Sequence, residues 1–447
     1  MQYTKSNLKG KIKTISCSFT GGNLTKYAGL NKITSFMMDH KVTKNMNNLF
    51  PTKKYNATKF SYVQVLMSII YASLSGVSRI NKISNFTQDP LVQINLMLEA
   101  GINENTLSQR LKSLGQRGAR ALQKYFLKFN SNKIQTLGLE HITLDADSTV
   151  STVSGHQEGA KKGYNPTKKG AKSYHPLLVF VSEIKLLYHS WFRSGDAHTA
   201  NGITEFLKEV EASLPSEIKE VFFRADSGYF GGKLLDLLES FNWTYLIKVK
   251  LKNLKKLLNQ QEWVKIKGKD IWICEFEYTT KSWNGKTRTL KAIRSIKNKE
   301  EVNFFSKKEV LVIYQYACFV SNLEGKNGLD LHLNYKQRST SETWIEEVKS
   351  QILAGRTLTQ DFWANDILWQ LSCFSYNVSV LMRMKSPKTR RQEHKTFRDW
   401  FILIPGRIVS SGRKLELKIY ENYFYKEAWI DFEQNLNLNN LGSSNLE

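Results

Sequence analysis

His141-Ile142-Thr143-Leu144-Asp145-Ala146-Asp147 alternates apolar and polar side chains with a period of two and is rich in strand formers. It predicts a strand that ends in a carboxylate and is followed by Ser148-Thr149. Toward the C-terminus, 177–183 and 186–192 read as two strands close enough to form a hairpin. A helix is expected over about 200–213, with Ile203, Phe206, Leu207 and Val210 at helical spacing. Glu220-Val221-Phe222-Phe223-Arg224-Ala225-Asp226 reads as a further strand, then come a helix near 231–240 and a strand at 244–249.

Three antiparallel strands followed by alternating helix and strand is the order of a ribonuclease-H-like sheet. Residues 251–330 interrupt it with β-like runs at 272–278, 287–295 and 310–320, the first two separated by the turn-former Asn284-Gly285. Helical register resumes at about 338–354 and 361–383. Upstream, residues 1–58 are rich in Lys and Asn and read as loosely ordered or partly helical. From Phe60 onward Val63, Leu66, Met67, Ile70 and Leu74 recur at helical spacing. A multidomain α/β chain is expected: an α-helical N-terminal region at 1–136, a core in two parts at 137–250 and 331–390, a β-rich insertion at 251–330, and a basic tail at 391–447 ending in a weakly structured stretch.

The charge points to a partner. Sixty-five Lys and Arg against 40 Asp and Glu give a net charge of +25, the electrostatic footprint of a nucleic-acid binder. The first twenty residues lack the apolar run of a signal peptide, and no stretch of about 18 apolar residues suggests a membrane span. Cys17, Cys274, Cys318 and Cys373 are dispersed, which argues against a zinc site and suits a reducing cytosol.

Asp147 and Asp226 both close apolar strand runs. In open α/β sheets ligands gather at the carboxyl ends of strands. Two carboxylates brought together there repel unless a cation lies between them, which is how Mg²⁺ sites are built. Solvated strand-end aspartates are the alternative. Asp145 and Asp147 share a strand face, so either could serve as the first ligand. A third carboxylate lies in Tyr335-Lys336-Gln337-Arg338-Ser339-Thr340-Ser341-Glu342, continuing to Lys349, which reads as one helix. At about 100° per residue Arg338, Glu342 and Lys349 form a polar stripe beside the apolar Ile345, Val348 and Ile352. A surface ladder of the Arg338–Glu342 type is the bland alternative.

The spacing Tyr335-x2-Arg338-x3-Glu342-x6-Lys349 resembles the tyrosine-arginine-glutamate-lysine signature of DDE transposases from bacterial insertion sequences. Asp145-Ala146-Asp147-Ser148-Thr149-Val150, Gly155-His156-Gln157-Glu158-Gly159-Ala160-Lys161-Lys162-Gly163-Tyr164-Asn165-Pro166, Ser173-Tyr174-His175-Pro176-Leu177, Arg193-Ser194-Gly195-Asp196-Ala197-His198 and Arg224-Ala225-Asp226-Ser227-Gly228-Tyr229-Phe230 look similar to insertion-sequence family 1380, a relative of family 4. The resemblance covers roughly 60–405. It implies a DDE triad of Asp147, Asp226 and Glu342 as catalytic and metal-binding residues, spaced 79 and 116 residues apart, with Asp immediately before Ser favouring Asp147 over Asp145. Two Mg²⁺ ions are then expected as cofactor, with Mn²⁺ able to substitute.

The implied reaction is metal-dependent phosphodiester cleavage at terminal inverted repeats and strand transfer into target DNA. Double-stranded DNA is the expected partner, a homodimer the expected active form, and a bacterial cytoplasm, at the nucleoid, the expected location. A catalytically inactive descendant that only binds DNA, or a structure-specific nuclease on the same fold, are the rival readings. Tyr335, Arg338 and Lys349 would contact phosphates. Lys161, Lys162, Lys168 and Lys169, in the Lys- and Gly-rich loop at 155–176, would track a DNA backbone, with Tyr164 available for stacking. No phosphate-loop motif occurs there. A helix at 89–99, a break at Gly101 and a second helix carrying Arg110 and Lys112 make 88–114 a helix-turn-helix candidate, or part of an ordinary helical bundle. Trp263, Trp272 and Trp283 could stack on an extruded base, with core packing expected of Trp272.

Overall fold

The computed structural model describes residues 17–51, 59–166, 168–198, 200–304, 307–356 and 359–441. The chain opens with a short strand β1 (Leu24–Thr25) and helices α1 (Leu30–Asp39) and α2 (Val42–Leu49). Then follow α3 (Tyr62–Leu74), α4 (Ile80–Phe86), α5 (Pro90–Leu96) and the long α6 (Glu104–Thr136). Ser61 and Gln64 cap α3 reciprocally, Asp89 caps α5, and Asn103 caps α6, so each helix starts where a side chain satisfies its free N–H groups. Gly115, at φ +52, kinks α6.

Strands β2 (His141–Ser148), β3 (Ser151–Thr152), β4 (Lys161–Lys162), β5 (Lys172–Tyr174), β6 (Leu177–Val181) and β7 (Leu186–Trp191) come next, then α7 (Ile203–Glu211), β8 (Glu220–Ala225), α8 (Gly232–Ser240) and β9 (Thr244–Lys248). The segment that follows carries α9 (Leu254–Asn259), β10 (Val264–Lys265), β11 (Ile271–Thr279), β12 (Thr287–Phe304) and β13 (Lys307–Ser321). Nine strands form one mixed sheet in the order β10-β11-β12-β13-β9-β8-β2-β6-β7, with β2, β8 and β9 parallel and the other pairs antiparallel. The β-rich segment is therefore continuous with the rest, because β13 pairs with β9 at Phe319–Lys248, Val320–Ile247 and Ser321–Leu246.

The expected helix over 338–354 is broken in the structure. It divides into α10 (Gly328–Arg338), α11 (Thr340–Glu346) and one π-turn at Glu347–Gln351. Ser339 Oγ donates to the Lys336 carbonyl (2.6 Å) and Thr340 Oγ1 to that of Gln337 (2.8 Å), local bonds that compete with the helical ladder. The π-turn closes with the Ile352 N–H on the Glu347 carbonyl (3.0 Å). After it come α12 (Phe362–Arg383), α13 (His394–Phe401), the hairpin β14 (Gly406–Ser411) and β15 (Lys414–Ile419), and α14 (Lys426–Leu441). The tail is thus more ordered than its composition suggests: β14 pairs with β1, and Phe397, Phe401 and Phe432 pack together.

Helix α12 is almost wholly buried and packs against α3, α6 and β7. The Phe126 and Phe374 rings of α6 and α12 stack at 4.3 Å. Residue 136 is consequently no boundary of packing, since α6 covers the same sheet edge as α12. That edge strand, β7, is closed by amides. Asn130 Nδ2 donates to the Leu187 and Tyr188 carbonyls (3.1 and 2.9 Å), and Asn377 both accepts from the Leu187 N–H (2.9 Å) and donates to its carbonyl (2.7 Å). Gln123 and Gln370 donate to the Ser190 carbonyl (2.9 and 3.1 Å). No helix among the described residues is long and apolar enough to cross a membrane.

Candidate active site

The parallel pairing of β2 and β8 ends at Ala146–Ala225, so Asp147 and Asp226 follow one another across two adjacent strands at their carboxyl ends. Asp145, two residues earlier, is fully buried and taken up: Arg224 Nε and Nη2 donate to its two oxygens at 2.7 and 2.8 Å. Arg224 also donates to the Asn334 carbonyl of α10 (3.0 Å) and to Ser182 Oγ (3.2 Å). The two aspartates that looked equivalent on one strand face therefore differ. Asp145 is locked in a buried fork, a strongly directional arrangement, and Asp147 is the one beside Asp226.

Asp147 Oδ1 accepts the Ser148 N–H (2.8 Å), and Asp147 Oδ2 pairs with Arg338 Nη2 (2.8 Å). Arg338 is only 5% exposed and also donates to the Ala146 carbonyl (3.2 Å). Burial raises the Asp147 carboxyl above the usual carboxylate range; Arg338 and the Ser148 N–H pull it back, while Asp226 and Glu342 push it up again. Asp226 opens a short turn, its Oδ1 accepting the Gly228 N–H (2.8 Å). Glu342 sits exposed in the first turn of α11 and makes no ion pair among the described residues. The three carboxylates thus share one electrostatic neighbourhood. Among the described residues no three His, Cys, Asp or Glu side chains are placed to share a metal ion. The donor chemistry nonetheless fits one, because all three groups offer carboxylate oxygens, the ligands a hard divalent cation prefers.

The stripe expected along one straight helix is not formed. With the break at Ser339 and the π-turn, Arg338 turns inward to Asp147, Glu342 faces solvent, and Lys349 is half-buried, its pKa lowered by burial against the opposing effect of Glu346. No Arg338–Glu342 pair exists among the described residues, because Arg338 is spent on Asp147. Ile345, Val348 and Ile352 do pack inward as expected. Tyr335 packs on Phe319 with ring centroids 5.2 Å apart, and burial raises its hydroxyl pKa.

Lys161, Lys162, Tyr164, Lys168 and Lys169 are all exposed, Tyr164 at 70%. They lie on and around a three-stranded sheet, β3-β5-β4, rather than a plain loop. Lys161 pairs with Asp196 (2.9 Å). Gly195 makes this possible: a Cβ there would fall 1.9 Å from the Ser173 carbonyl oxygen. Arg110 is not a free groove-reading side chain. Its Nη2 donates to the Phe60 carbonyl (2.8 Å) and its guanidinium lies 4.7 Å from the Tyr62 ring centroid. Lys112 is exposed and lines a cleft of about 1300 Å³ shared with Lys82, Gln157, Glu158 and Arg356. Of the three tryptophans, Trp283 is the buried one, packed on Phe230 and Tyr278, while Trp263 and Trp272 flank Arg294 at 4.7 and 5.4 Å.

Three contributors escaped the sequence reading. Arg224 reads in the sequence as a strand residue within a family-like segment, and its partnership with Asp145 comes only from the parallel register of β2 and β8. Tyr229 is fully buried behind the carboxylates, and burial together with Asp147 and Asp226 drives its hydroxyl pKa far up. His175 contacts the Ala197 carbonyl through Nδ1 (2.7 Å) and Ser148 Oγ through Nε2 (3.0 Å). A carbonyl can only accept, so Nδ1 carries the proton and Nε2 receives the Ser148 hydroxyl. Burial holds this imidazole below its ordinary pKa.

Residues 8–440 match a family model described as transposase DDE domain, group 1. No curated protein matches the chain. Among solved structures, a piggyBac transposase synaptic complex with hairpin DNA shares 12% identity over 82% of this chain and 76% of its own, with a TM-score of 0.44. A Mos1 transposase paired-end complex with the left transposon end shares 12% identity over 43% of this chain and 60% of its own, with a TM-score of 0.18.

Proposed function

Because the chain belongs to the transposase DDE domain group 1 family, we propose that it is a DNA transposase that cleaves phosphodiesters at the ends of its element and joins them to target DNA. Asp147, Asp226 and Glu342 are its catalytic carboxylates in this reading. The observation that carries the assignment is the placement of Asp147 and Asp226 at the carboxyl ends of adjacent parallel strands, with Glu342 close enough to act on Asp147. Mg²⁺, with Mn²⁺ as substitute, would be held by these carboxylates. Bound there, divalent ions would supply Lewis-acid stabilisation of the negative charge that builds up on the reacting phosphate. The chain's own part is to hold the carboxylates in place: Arg224 fixes β2 against β8 and α10, His175 orients Ser148 next to Asp147, and Arg338 balances the charge of Asp147.

Double-stranded DNA, as terminal inverted repeats and target, is the substrate of this reading, supported by the +25 charge. The exposed Lys161, Lys162, Lys168, Lys169 and Tyr164 would follow its backbone, with Lys112 across the cleft. Tyr335 and Lys349 would sit nearest the reacting end. Within the family, an insertion-sequence element of family 1380, a ribonuclease-H-like core enlarged by β10–β13, a dimeric active form and a place at the bacterial nucleoid complete the proposal. The strand order β9-β8-β2-β6-β7, with α7 and α8 between the later strands, supports the core assignment. The test is single-turnover cleavage of duplexes carrying the element's ends in Mg²⁺ or Mn²⁺. Metal-dependent nicking at the end and joining of a pre-cut 3′-hydroxyl end are expected, and Asp226→Asn should abolish both. Cleavage that survives Asp226→Asn and Glu342→Gln overturns the assignment.

A further inference from the structure

We propose that Lys248, Lys250, Lys252, Lys255 and Lys256 form, together with Lys336, a second phosphate track that holds the DNA backbone as it leaves the carboxylates. The proposal rests on the transposase reading and extends it to a surface with no role so far. Its first support is register. The β2–β8 pairing ends at Ala146–Ala225 and the β8–β9 pairing at Ala225–Ile247. One residue further, Asp147, Asp226 and Lys248 fall in a single row across three adjacent parallel strands, whose spacing is about 4.8 Å.

Lys248 also faces the same side as the carboxylates. It lies opposite Phe319 on β13, and the Phe319 ring packs on His332 and Tyr335 of α10. Asp147 meets that same helix through Arg338. Burial first, then Lys336 and Lys248, hold the His332 imidazole below its ordinary pKa, so both ammonium groups act beside α10. An ammonium in line with two carboxylates is placed to meet the phosphate of the strand whose scissile bond lies at those carboxylates.

Beyond β9 the chain continues as Lys248-Val249-Lys250-Leu251-Lys252-Asn253-Leu254-Lys255-Lys256, and the first acidic residue afterwards is Glu262. Leu254, Leu257 and Leu258 turn toward the protein, leaving Lys255 and Lys256 on the outer face of α9. Lys248, Lys250, Lys252, Lys255 and Lys256 are all exposed, and none makes an ion pair among the described residues. An ordinary solvated face intersperses both signs, which limits self-repulsion. An unbroken run of one sign that starts in the carboxylate row suits a polyanion entering or leaving that row. An acidic protein segment would satisfy the charge but has no reason to end at the carboxylates.

The full-length quadruple variant Lys250→Gln/Lys252→Gln/Lys255→Gln/Lys256→Gln tests the track, with Lys248→Gln made separately. Affinity for an end duplex is measured against salt concentration, and phosphates are mapped by footprinting. The quadruple variant should lose roughly three to four units of the log–log salt slope, about 0.9 per contact, and lose protection on one flank only. Lys248→Gln should slow cleavage of saturating DNA more than tenfold while changing affinity less than threefold. An unchanged slope and footprint in the quadruple variant, with cleavage of the wild type intact, overturns the track. Wild-type protein that neither binds nor cleaves end duplexes instead overturns the transposase reading on which it rests.

Discussion

Asp145 and Asp147 differ by two positions on one strand and should differ in kind when mutated. Asp145→Asn leaves the buried Arg224 guanidinium with a neutral partner, and breaking a buried pair costs on the order of 3–5 kcal/mol. Its melting temperature should fall by many degrees, with little soluble protein. Asp147→Asn also leaves the buried Arg338 with a neutral partner, but it removes the burial penalty and the repulsion from Asp226 and Glu342 that raise the Asp147 pKa, so melting should move less while cleavage is lost. Calorimetry and cleavage on the two variants decide the matter, and a destabilised Asp147→Asn beside a stable, inactive Asp145→Asn would reverse the roles. The alternation of 141–147 was enough to place both residues on a face. What separated them, Arg224 in parallel register on another strand, lies 79 residues away, beyond the reach of a local pattern.

The break between α10 and α11 belongs to the element. Ser339 and Thr340 pull hydroxyls onto carbonyls of the preceding turn, so Ser339→Ala/Thr340→Ala should let the two helices run straighter. Alanine's better helix propensity should raise the melting temperature slightly, while the altered direction of α11 moves Glu342 and lowers cleavage. No change in either measurement would remove the break from the mechanism. Most elements of the sheet were legible: 200–213, 220–226, 231–240 and 244–249 became α7, β8, α8 and β9 with ends shifted by a few residues. The helix over 338–354 was misjudged because periodicity reports which side is apolar, not whether hydroxyls interrupt the ladder. The terminal segments were under-read because β1 finds its partner only in β14, far along the chain. Helix α12 adds a pH signature. Burial raises Asp366 from 3.8 to about 6, against Gln370 and Arg120. Folded protein then holds a proton that the unfolded chain has released between about pH 4 and 6, so this group makes stability fall as pH rises through that window, by up to about 3 kcal/mol. In Asp366→Asn that part of the slope should vanish from denaturant titrations at pH 4.5 and 7.5.

At the scale of the whole molecule, the helical N-terminal region is built into the sheet. Helix α6 supplies Gln123, Phe126 and Asn130 to β7 and α12, and α3 offers the Ile70 carbonyl to Ser375 (3.4 Å). Removing residues 1–135 should therefore yield insoluble protein, not a core that binds DNA without specificity. Size-exclusion of the truncated chain checks this, and a monodisperse monomer would show the sheet to be self-sufficient.

The amide closure of β7 sets a clock on synthesis. Leu187 waits for Asn377, made 190 residues later. At about 5–20 residues per second that is roughly 10–40 s on the ribosome. During this interval only Asn130 and Gln123 of α6, among the amides that close β7, shield an edge that could recruit another nascent strand. Slowing translation between 191 and 362 should thus enrich aggregates without any change in the finished protein's stability, a liability that belongs to the order in which the chain is made.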